Sequence, residues 1–147
     1  MDFPTTEPLA FPRIGVATFV LRGADVLLGR SKKEPIVGKW VIPGGRVKPF
    51  ERLQETAVRE FLEETGITIT AKNVLFVSEN VQPPNDHRIV IYVDGQYVSG
   101  EPTPGDDLSE VRWVDVRQLG ELQSDMTDMT LDALYKFSLV LRARTGR

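Results

Sequence analysis

One segment of the chain, residues 51–65, constrains the fold more than any other, because it contains no glycine or proline and few β-branched residues. Gly66 follows it, at the position where a left-handed residue commonly ends a helix. With about 100° between successive residues, the apolar side chains of the segment fall on one side. They are Val58, Phe61 and Leu62, with Ala57 at the edge of the arc. The segment is therefore predicted to form an amphipathic helix that packs through this arc and ends before Gly66.

A second arc of the same helix, roughly 100° wide, gathers the carboxylates of Glu60, Glu63 and Glu64. Acids spaced by three or four residues repel one another by a few tenths of a kcal/mol per pair, and the dipole at the helix end adds to the cost. Arg59 offsets only part of this charge. A divalent cation would compensate the rest, since hard oxygen ligands suit Mg²⁺ or Mn²⁺. The plainer alternative is an ordinary solvated acidic face.

The spacing of residues 45–67 resembles the signature of the Nudix hydrolase family at every defined position. In this chain the signature reads Gly45-x5-Glu51-x7-Arg59-Glu60-Phe61-x-Glu63-Glu64-x-Gly66-Ile67. The approach to it, Gly38-Lys-Trp-Val-Ile-Pro-Gly-Gly45, is also similar to the family. The likeness covers roughly residues 15–119, and its nine specified positions are too many for coincidence.

The resemblance implies the Nudix fold, an α/β sandwich with helices on both faces of a mixed β-sheet (α/β/α). It also implies hydrolysis of a nucleoside diphosphate linked to another group X, with Mg²⁺ (or Mn²⁺) as cofactor. The residues that it carries over as metal ligands are Glu60, Glu63 and Glu64, with the backbone of Gly44 as a further candidate. Glu51 and Arg59 are carried over as an ion pair that holds the loop against the helix. Catalysis is expected to depend on all five side chains.

The start of the helix departs from the family pattern, which commonly has Gly-Glu followed by Ser or Thr. This chain has Phe50-Glu51-Arg52 instead, so the usual capping hydroxyl is missing. Such a loss costs about 1 kcal/mol of helix stability. Packing of Phe50 is expected to offset it.

Two groups of residues outside the helix are predicted to contact substrate. Gly44 and Gly45 are expected to form a tight turn that lets backbone groups approach the metal or the phosphates. Arg30 and Lys39 are expected to form, with neighbouring lysines, a small cationic rim that attracts a polyphosphate. The alternative for this rim is an exposed strand end and loop.

The loop of residues 100–110 is the second place where chemistry is expected, because it carries several acids among prolines and glycines. Many Nudix enzymes draw an additional carboxylate from a loop between the last strands. Asp106, Asp107 and Glu110 are the candidates, and Asp107 is included in the predicted metal site. A solvated connector is the alternative.

The rest of the chain is predicted to supply short strands and one further helix. The expected strands are 14–21 and 26–30, paired as a hairpin, then 39–42, 68–70, 74–79, 88–99 and 110–114, and the second helix is 128–144. A turn or a bulge at Asp94-Gly95 is left open. Trp40 is predicted to lie in the core, and His87 in an exposed loop without a catalytic role.

Length and composition favour one domain, residues 14–147, preceded by an extended arm, residues 1–13. The chain has 147 residues, no cysteine and a formal charge of −3, and it starts without a basic and apolar leader. We therefore expect a cytoplasmic protein without disulfides or membrane contact. The net charge argues against binding extended nucleic acid, and a small nucleotide is the expected partner. Monomer and homodimer stay open.

The predicted reaction is metal-assisted attack of water at phosphorus. The expected substrate is a nucleotide sugar of the ADP-ribose type or a (deoxy)nucleoside triphosphate. One alternative is glycosyl cleavage as in GDP-mannose mannosyl hydrolases, which resemble this chain around Val37–Val47. The other is a Nudix domain that senses nucleotides without cleaving them.

Overall fold

The structure, a computed structural model, describes residues 10–145. The predicted arm therefore lies mostly outside the described residues, and Arg13 already belongs to the first strand. The strands are β1 (Arg13–Arg22), β2 (Asp25–Ser31), β3 (Trp40–Val41), β4 (Gly44–Arg46), β5 (Thr68–Gln82), β6 (Asp86–Ser99) and β7 (Leu108–Asp115). The helices are α1 (Leu53–Thr65), the 3₁₀ helix Val116–Asp125 and α2 (Asp128–Thr145).

The strands form a mixed sheet in the order β3-β2-β1-β6-β5, in which β4 also pairs with β1 and β7 with β2. β1 runs parallel to β6, and the other pairs are antiparallel. The predicted hairpin is present, since Leu21 pairs with Val26 and Arg22 with Asp25. The mixed sheet with packed helices confirms the predicted α/β fold.

Successive side chains of β1 point to opposite faces of the sheet, and each face receives one helix. On one face Phe19 stacks on Phe137 of α2, with ring centroids 4.1 Å apart. On the other face Val20 packs with Phe61 of α1. Trp40 is fully buried on the α2 side, as predicted. The helix that carries the acidic residues is thus fixed to the sheet through its apolar arc.

Helix α1 starts two residues later than predicted and ends as predicted, with Gly66 in the left-handed conformation (φ 73°). Its first turn is held by Glu55, whose carboxylate accepts the Arg52 N–H at 3.0 Å. The expected packing of Phe50 is wrong, because this side chain is fully exposed and its backbone has a positive φ of 68°. Leu62 is also exposed, so the packed arc is narrower than predicted.

Three other local predictions are corrected by long-range pairing. Residues 68–82 form one bulged strand rather than two, because β6 pairs along its whole length. Of the two alternatives left open at Asp94-Gly95, the hairpin turn is wrong, because both residues lie within one long strand, and the register shift opposite them falls in β5. His87 lies in β6 and is half-buried, not in an exposed loop.

Gly44 and Gly45 are extended residues of β4, not a tight turn. A Cβ atom at Gly44 would collide with the Val16 carbonyl oxygen of β1. A Cβ atom at Gly45 would collide with the Glu60 carboxylate. The two glycines therefore allow β4 to lie close to β1 and to α1, and they do not change the direction of the chain.

Within residues 10–145, neither α-helix combines the length and apolar character that crossing a bilayer requires.

Candidate active site

The loop before α1 is tied to the helix by Arg59. Its guanidinium donates to both carboxylate oxygens of Glu51, at 2.7 and 2.9 Å, and to the Arg46 carbonyl oxygen at 3.0 Å. These bonds from Arg59, followed by one from the Thr56 hydroxyl, lower the pKa of Glu51 to about 2. The ion pair implied by the sequence is therefore present, and it is ionised at any physiological pH.

Three carboxylates converge beside this ion pair. Oxygens of Glu60, Glu63 and Asp106 lie within 4.8 Å of one another. Arg59 contacts the first at 2.6 Å and the second at 3.3 Å, so one guanidinium faces most of the cluster. Like charges at this spacing repel, and hard oxygen atoms in such a group can hold a divalent cation.

Asp106 reaches the cluster because its loop docks on the end of α1. The Thr103 N–H donates to the Thr65 carbonyl oxygen at 2.8 Å, and the Gly105 N–H donates to the Glu64 carbonyl oxygen at 3.0 Å. These bonds satisfy carbonyl groups that the last helical turn leaves without partners. Asp106 then adopts a positive φ of 46°, which aspartate tolerates better than most residues.

Glu64 is the buried member of the acidic group, with only 3% of its surface exposed. Its Oε1 accepts the Gly44 N–H at 2.8 Å. Burial raises the pKa of Glu64 to about 8, and the negative charges of Glu60 and Asp107 act in the same direction. Near neutral pH this carboxyl group can therefore gain or lose a proton, which suits general acid–base chemistry.

A cavity of about 300 Å³ opens beside Glu64. Its walls are mostly apolar and include Ile42, Tyr92 and Met129. A polar group lines the same cavity and consists of Asn80, Gln82, Asp86 and Arg88. This group was not predicted from the sequence, because its members are brought together only by the pairing of β5 with β6. The one local signal is Asp86-His87-Arg88, whose first and third side chains share a face of the strand.

The residues predicted to contact substrate do not all lie at this cavity. Gly44 lines the cavity, whereas Arg30 and Lys39, though described, do not. Arg30 lies over the Trp40 ring, 4.6 Å from its centroid, and its guanidinium is 3.7 Å from Glu110. Lys33, a neighbouring lysine of this rim, is also paired with an acid, so two of its cations are already engaged.

The acids predicted from the loop of residues 100–110 also lie in different environments. Asp107 lines the cavity and pairs with Lys33 at 3.0 Å. Glu110 faces Arg30 and Arg112. Of the acids proposed from the sequence, Asp106 is the one whose oxygen lies with Glu60 and Glu63.

The model of the NUDIX domain family matches residues 11–133. The chain therefore belongs to the Nudix family, as the sequence resemblance implied, and it is a hydrolase of the class that acts on phosphoric anhydride bonds.

Two curated relatives and one solved structure illustrate the relationship. An ADP-ribose pyrophosphatase of Methanocaldococcus jannaschii is 33% identical over 115 residues, which cover 78% of this chain and 68% of the relative. An oxidized purine nucleoside triphosphate hydrolase of Mus musculus is 30% identical over 134 residues, covering 90% and 81%. The structure of a NUDIX hydrolase from Nitrosomonas europaea superposes with a TM-score of 0.77 at 19% identity, covering 88% of this chain and 90% of that one. The last likeness establishes the fold.

Proposed function

We propose that this chain is a divalent-metal-dependent pyrophosphohydrolase, which cleaves a nucleoside diphosphate linked to a second group by attack of water at phosphorus. The observation that carries the proposal is that oxygens of Glu60, Glu63 and Asp106 lie within 4.8 Å of one another. Glu63 and Asp106 are followed in the chain by Glu64 and Asp107, which line the cavity. A nucleotide in the cavity would have its phosphates beside these acids.

The donor set fits Mg²⁺ or Mn²⁺. It consists of carboxylate oxygens without nitrogen or sulfur, the combination that hard cations prefer. Glu60, Glu63 and Asp106 would hold the ion, whereas the set predicted from the sequence had Glu64, the Gly44 backbone and Asp107 in place of Asp106. The missing Cβ of Gly45 leaves room for the Glu60 carboxylate. When bound, Mg²⁺ supplies charge neutralisation on the phosphates and acidifies a bound water.

The chain's own groups have separate tasks in the proposed reaction. Glu64 lines the cavity and is oriented by the Gly44 N–H, so its ionised carboxylate would accept the proton of the attacking water. Arg59 is a positioning residue, since it holds Glu60 and Glu63 against the loop carboxylate of Glu51. The leaving diphosphate or phosphate oxygen takes the charge released when the anhydride bond breaks.

The proposed substrates are nucleotide sugars of the ADP-ribose type or (deoxy)nucleoside triphosphates. Both classes are named in the curated relatives, one acting on ADP-ribose and the other on oxidized purine nucleoside triphosphates. A small nucleotide also agrees with the net charge of −3, which is unsuited to tracking a long phosphate backbone. The proposal includes one catalytic domain over residues 14–147 and a cytoplasmic location, as monomer or homodimer.

The test is a panel of nucleotide sugars, dinucleoside polyphosphates and nucleoside triphosphates, incubated with Mg²⁺ or Mn²⁺ and scored by products. Hydrolysis in ¹⁸O-labelled water should place the label on a phosphate. Label on a sugar carbon would instead indicate glycosyl cleavage. Binding without turnover of any panel member would indicate a nucleotide sensor and contradict the proposal.

The ligand assignment is tested by titrating the protein with Mn²⁺ and following the free ion by electron paramagnetic resonance. Asp106→Asn should weaken binding roughly 10- to 100-fold, as should Glu63→Gln. The matched control is Asp107→Asn, which removes a neighbouring charge but no proposed ligand, and it should change affinity much less. The reverse order of the two aspartate variants would assign the site to Asp107.

A further inference from the structure

The polar group at the cavity wall is built around a buried carboxylate. Asp86 is only 5% exposed, and the side chain of Arg88 is 14% exposed. Arg88 donates to Asp86 at 3.0 Å through Nε and at 3.2 Å through a terminal nitrogen, and the Asn80 amide nitrogen donates at 2.8 Å. A buried charge of this kind is costly unless it is paired, and here it is paired and held in one orientation.

This carboxylate lines the cavity and retains hydrogen-bonding capacity. An ionised carboxylate offers about four acceptor directions. Within residues 10–145, Arg88 and Asn80 occupy three of those of Asp86. The amide groups of Asn80 and Gln82 also line the cavity, and each amide is both donor and acceptor. The wall can therefore accept an N–H from a ligand and exchange further hydrogen bonds beside it.

The position of the polar group relative to the acids follows from strand register. Tyr92 of β6 is level with Ala17 of β1, which pairs in turn with Gly44 beside Glu64. Arg88 lies four residues earlier on β6, which at the rise of a strand is about 13 Å. The cavity thus joins two polar regions at separate levels of the sheet, with apolar walls between them. A nucleotide has the same order of parts: phosphates, then sugar, then a flat base with a polar edge.

We infer that Asp86 is a specificity-determining residue, which accepts an N–H from the edge of a purine base while the base faces lie against the apolar cavity walls. The inference rests on the proposed function for the orientation of the phosphates. A base is favoured over a sugar because it presents two apolar faces and confines its polar atoms to the rim of the ring, matching mostly apolar walls with a polar group at one end. A ribose has hydroxyl groups on several sides and would leave them against apolar side chains. Arg88 and Asn80 are positioning residues for the carboxylate.

The test measures binding without catalysis, by calorimetry in EDTA with nucleoside monophosphates. The first pair of probes is AMP and purine riboside 5′-monophosphate, which differ only in the amino group on the ring. The second pair is GMP and IMP, which differ in the same way. The wild-type protein should bind the amino-bearing member of at least one pair roughly 10- to 100-fold more tightly, the range expected for a hydrogen bond to a charged group.

The decisive variant is the double substitution Asp86→Leu with Arg88→Met. It removes the acceptor together with its buried partner, so it does not leave one charge unpaired. The preference for the amino-bearing base should fall below twofold. The matched control is Asp132→Leu with Lys136→Met, which removes an exposed ion pair of 2.9 Å on α2, and the preference should be retained there.

Either of two kinds of result would overturn the inference. One is a wild-type protein that does not discriminate within either pair, or a double variant that discriminates equally well. The other is ribose 5-phosphate binding as tightly as AMP, with the double substitution weakening both alike, which would assign Asp86 to a sugar.

The role of Arg88 is measured with substrate turnover. Arg88→Lys keeps the charge but loses the forked contact, so it should raise KM for the preferred nucleotide about tenfold and leave kcat within twofold. A fall in kcat with unchanged KM would contradict a positioning role in base recognition.

The binding probes separate this inference from the proposed function. Discrimination in EDTA combined with failure to hydrolyse any phosphoric anhydride would support base recognition and overturn the proposed reaction. Rapid hydrolysis combined with no discrimination would overturn base recognition alone.

Discussion

Burial of Glu64 should make the metal-free protein less stable as the pH rises, and replacing it with glutamine should remove that dependence. The ordinary pKa of a glutamic acid is 4.5, and burial raises that of Glu64 to about 8. Between these values the folded protein keeps a proton that the unfolded chain has already released. The contribution of Glu64 to the free energy of unfolding is therefore largest at or below pH 4.5 and falls until about pH 8.

The size of the effect follows from the same two pKa values. One pKa unit corresponds to about 1.4 kcal/mol, so the full loss between these limits is at most about 5 kcal/mol, a large fraction of the stability of a small domain. Glu64→Gln is uncharged at every pH, and its side-chain oxygen can still accept the Gly44 N–H. The variant should have a flat profile across this range and exceed the wild type by a few kcal/mol at pH 8.

The assay is urea unfolding in EDTA at half-unit steps from pH 5 to 8.5, followed by far-ultraviolet circular dichroism. Glu79→Gln, at an exposed position of β5, is the matched control and should parallel the wild type. Mg²⁺ at pH 8 should stabilise both proteins, because it binds the folded state alone. The effect should be larger in the wild type, since the ionised Glu64 adds a negative charge beside the proposed ligands. Parallel profiles of wild type and Glu64→Gln would refute the reasoning, since they would mean that burial imposes no cost on this carboxylate.

Three further outcomes are expected. Gly45→Ala places a methyl group against the Glu60 carboxylate, so the affinity for Mn²⁺ should fall roughly tenfold or more. The control is Gly120→Ala, whose methyl group meets no atom within 4 Å and which should bind Mn²⁺ normally. Equal affinities of the two variants would contradict the close approach of Gly45 to Glu60. Arg59→Lys keeps a positive charge but cannot hold three carboxylates and a carbonyl group at once. Steady-state kcat should therefore fall at least about tenfold, while circular dichroism shows that the fold is retained. An unchanged kcat would refute the positioning role. His87→Ala should retain most activity in the same assay, because the acids of α1 and Asp106 are proposed to perform the chemistry. A loss above about a hundredfold in a folded variant would instead indicate proton transfer by the histidine.

The buried Glu64 follows Glu63 of the carboxylate cluster in the chain and lines the cavity. Its helix packs Phe61 and Ala57 into the core, which fixes the direction of the buried carboxylate. The neighbouring Glu63 stays 43% exposed, so two acids adjacent in sequence lie in different environments and can perform different tasks. Natural proteins often retain such unfavourable burial where function needs it.

Residues close in sequence were predicted well because one helix fixes their geometry. The spacing of Glu60, Glu63 and Glu64 placed them on neighbouring positions of α1, and Gly66 ended the helix as expected. The ion pair of Arg59 with Glu51 could also be anticipated, since the family signature specifies both residues. The same local reasoning failed at Phe50 and Leu62, because apolar character alone does not decide whether a neighbouring element covers a side chain.

The sequence by itself determined the acidic helix, its C-terminal cap and the family of the chain, since these depend on residue types at fixed short spacings. Only the tertiary structure decided that Asp106 joins the cluster, that Glu64 is buried and that the glycine pair lies extended against β1. It also decided the cavity wall around Asp86, which β5 and β6 create by pairing. The physical reason is that the periodicity of a helix or strand sets the direction of each side chain within its own element. Contacts between elements, and the pKa values that burial changes, arise only when distant segments pack together.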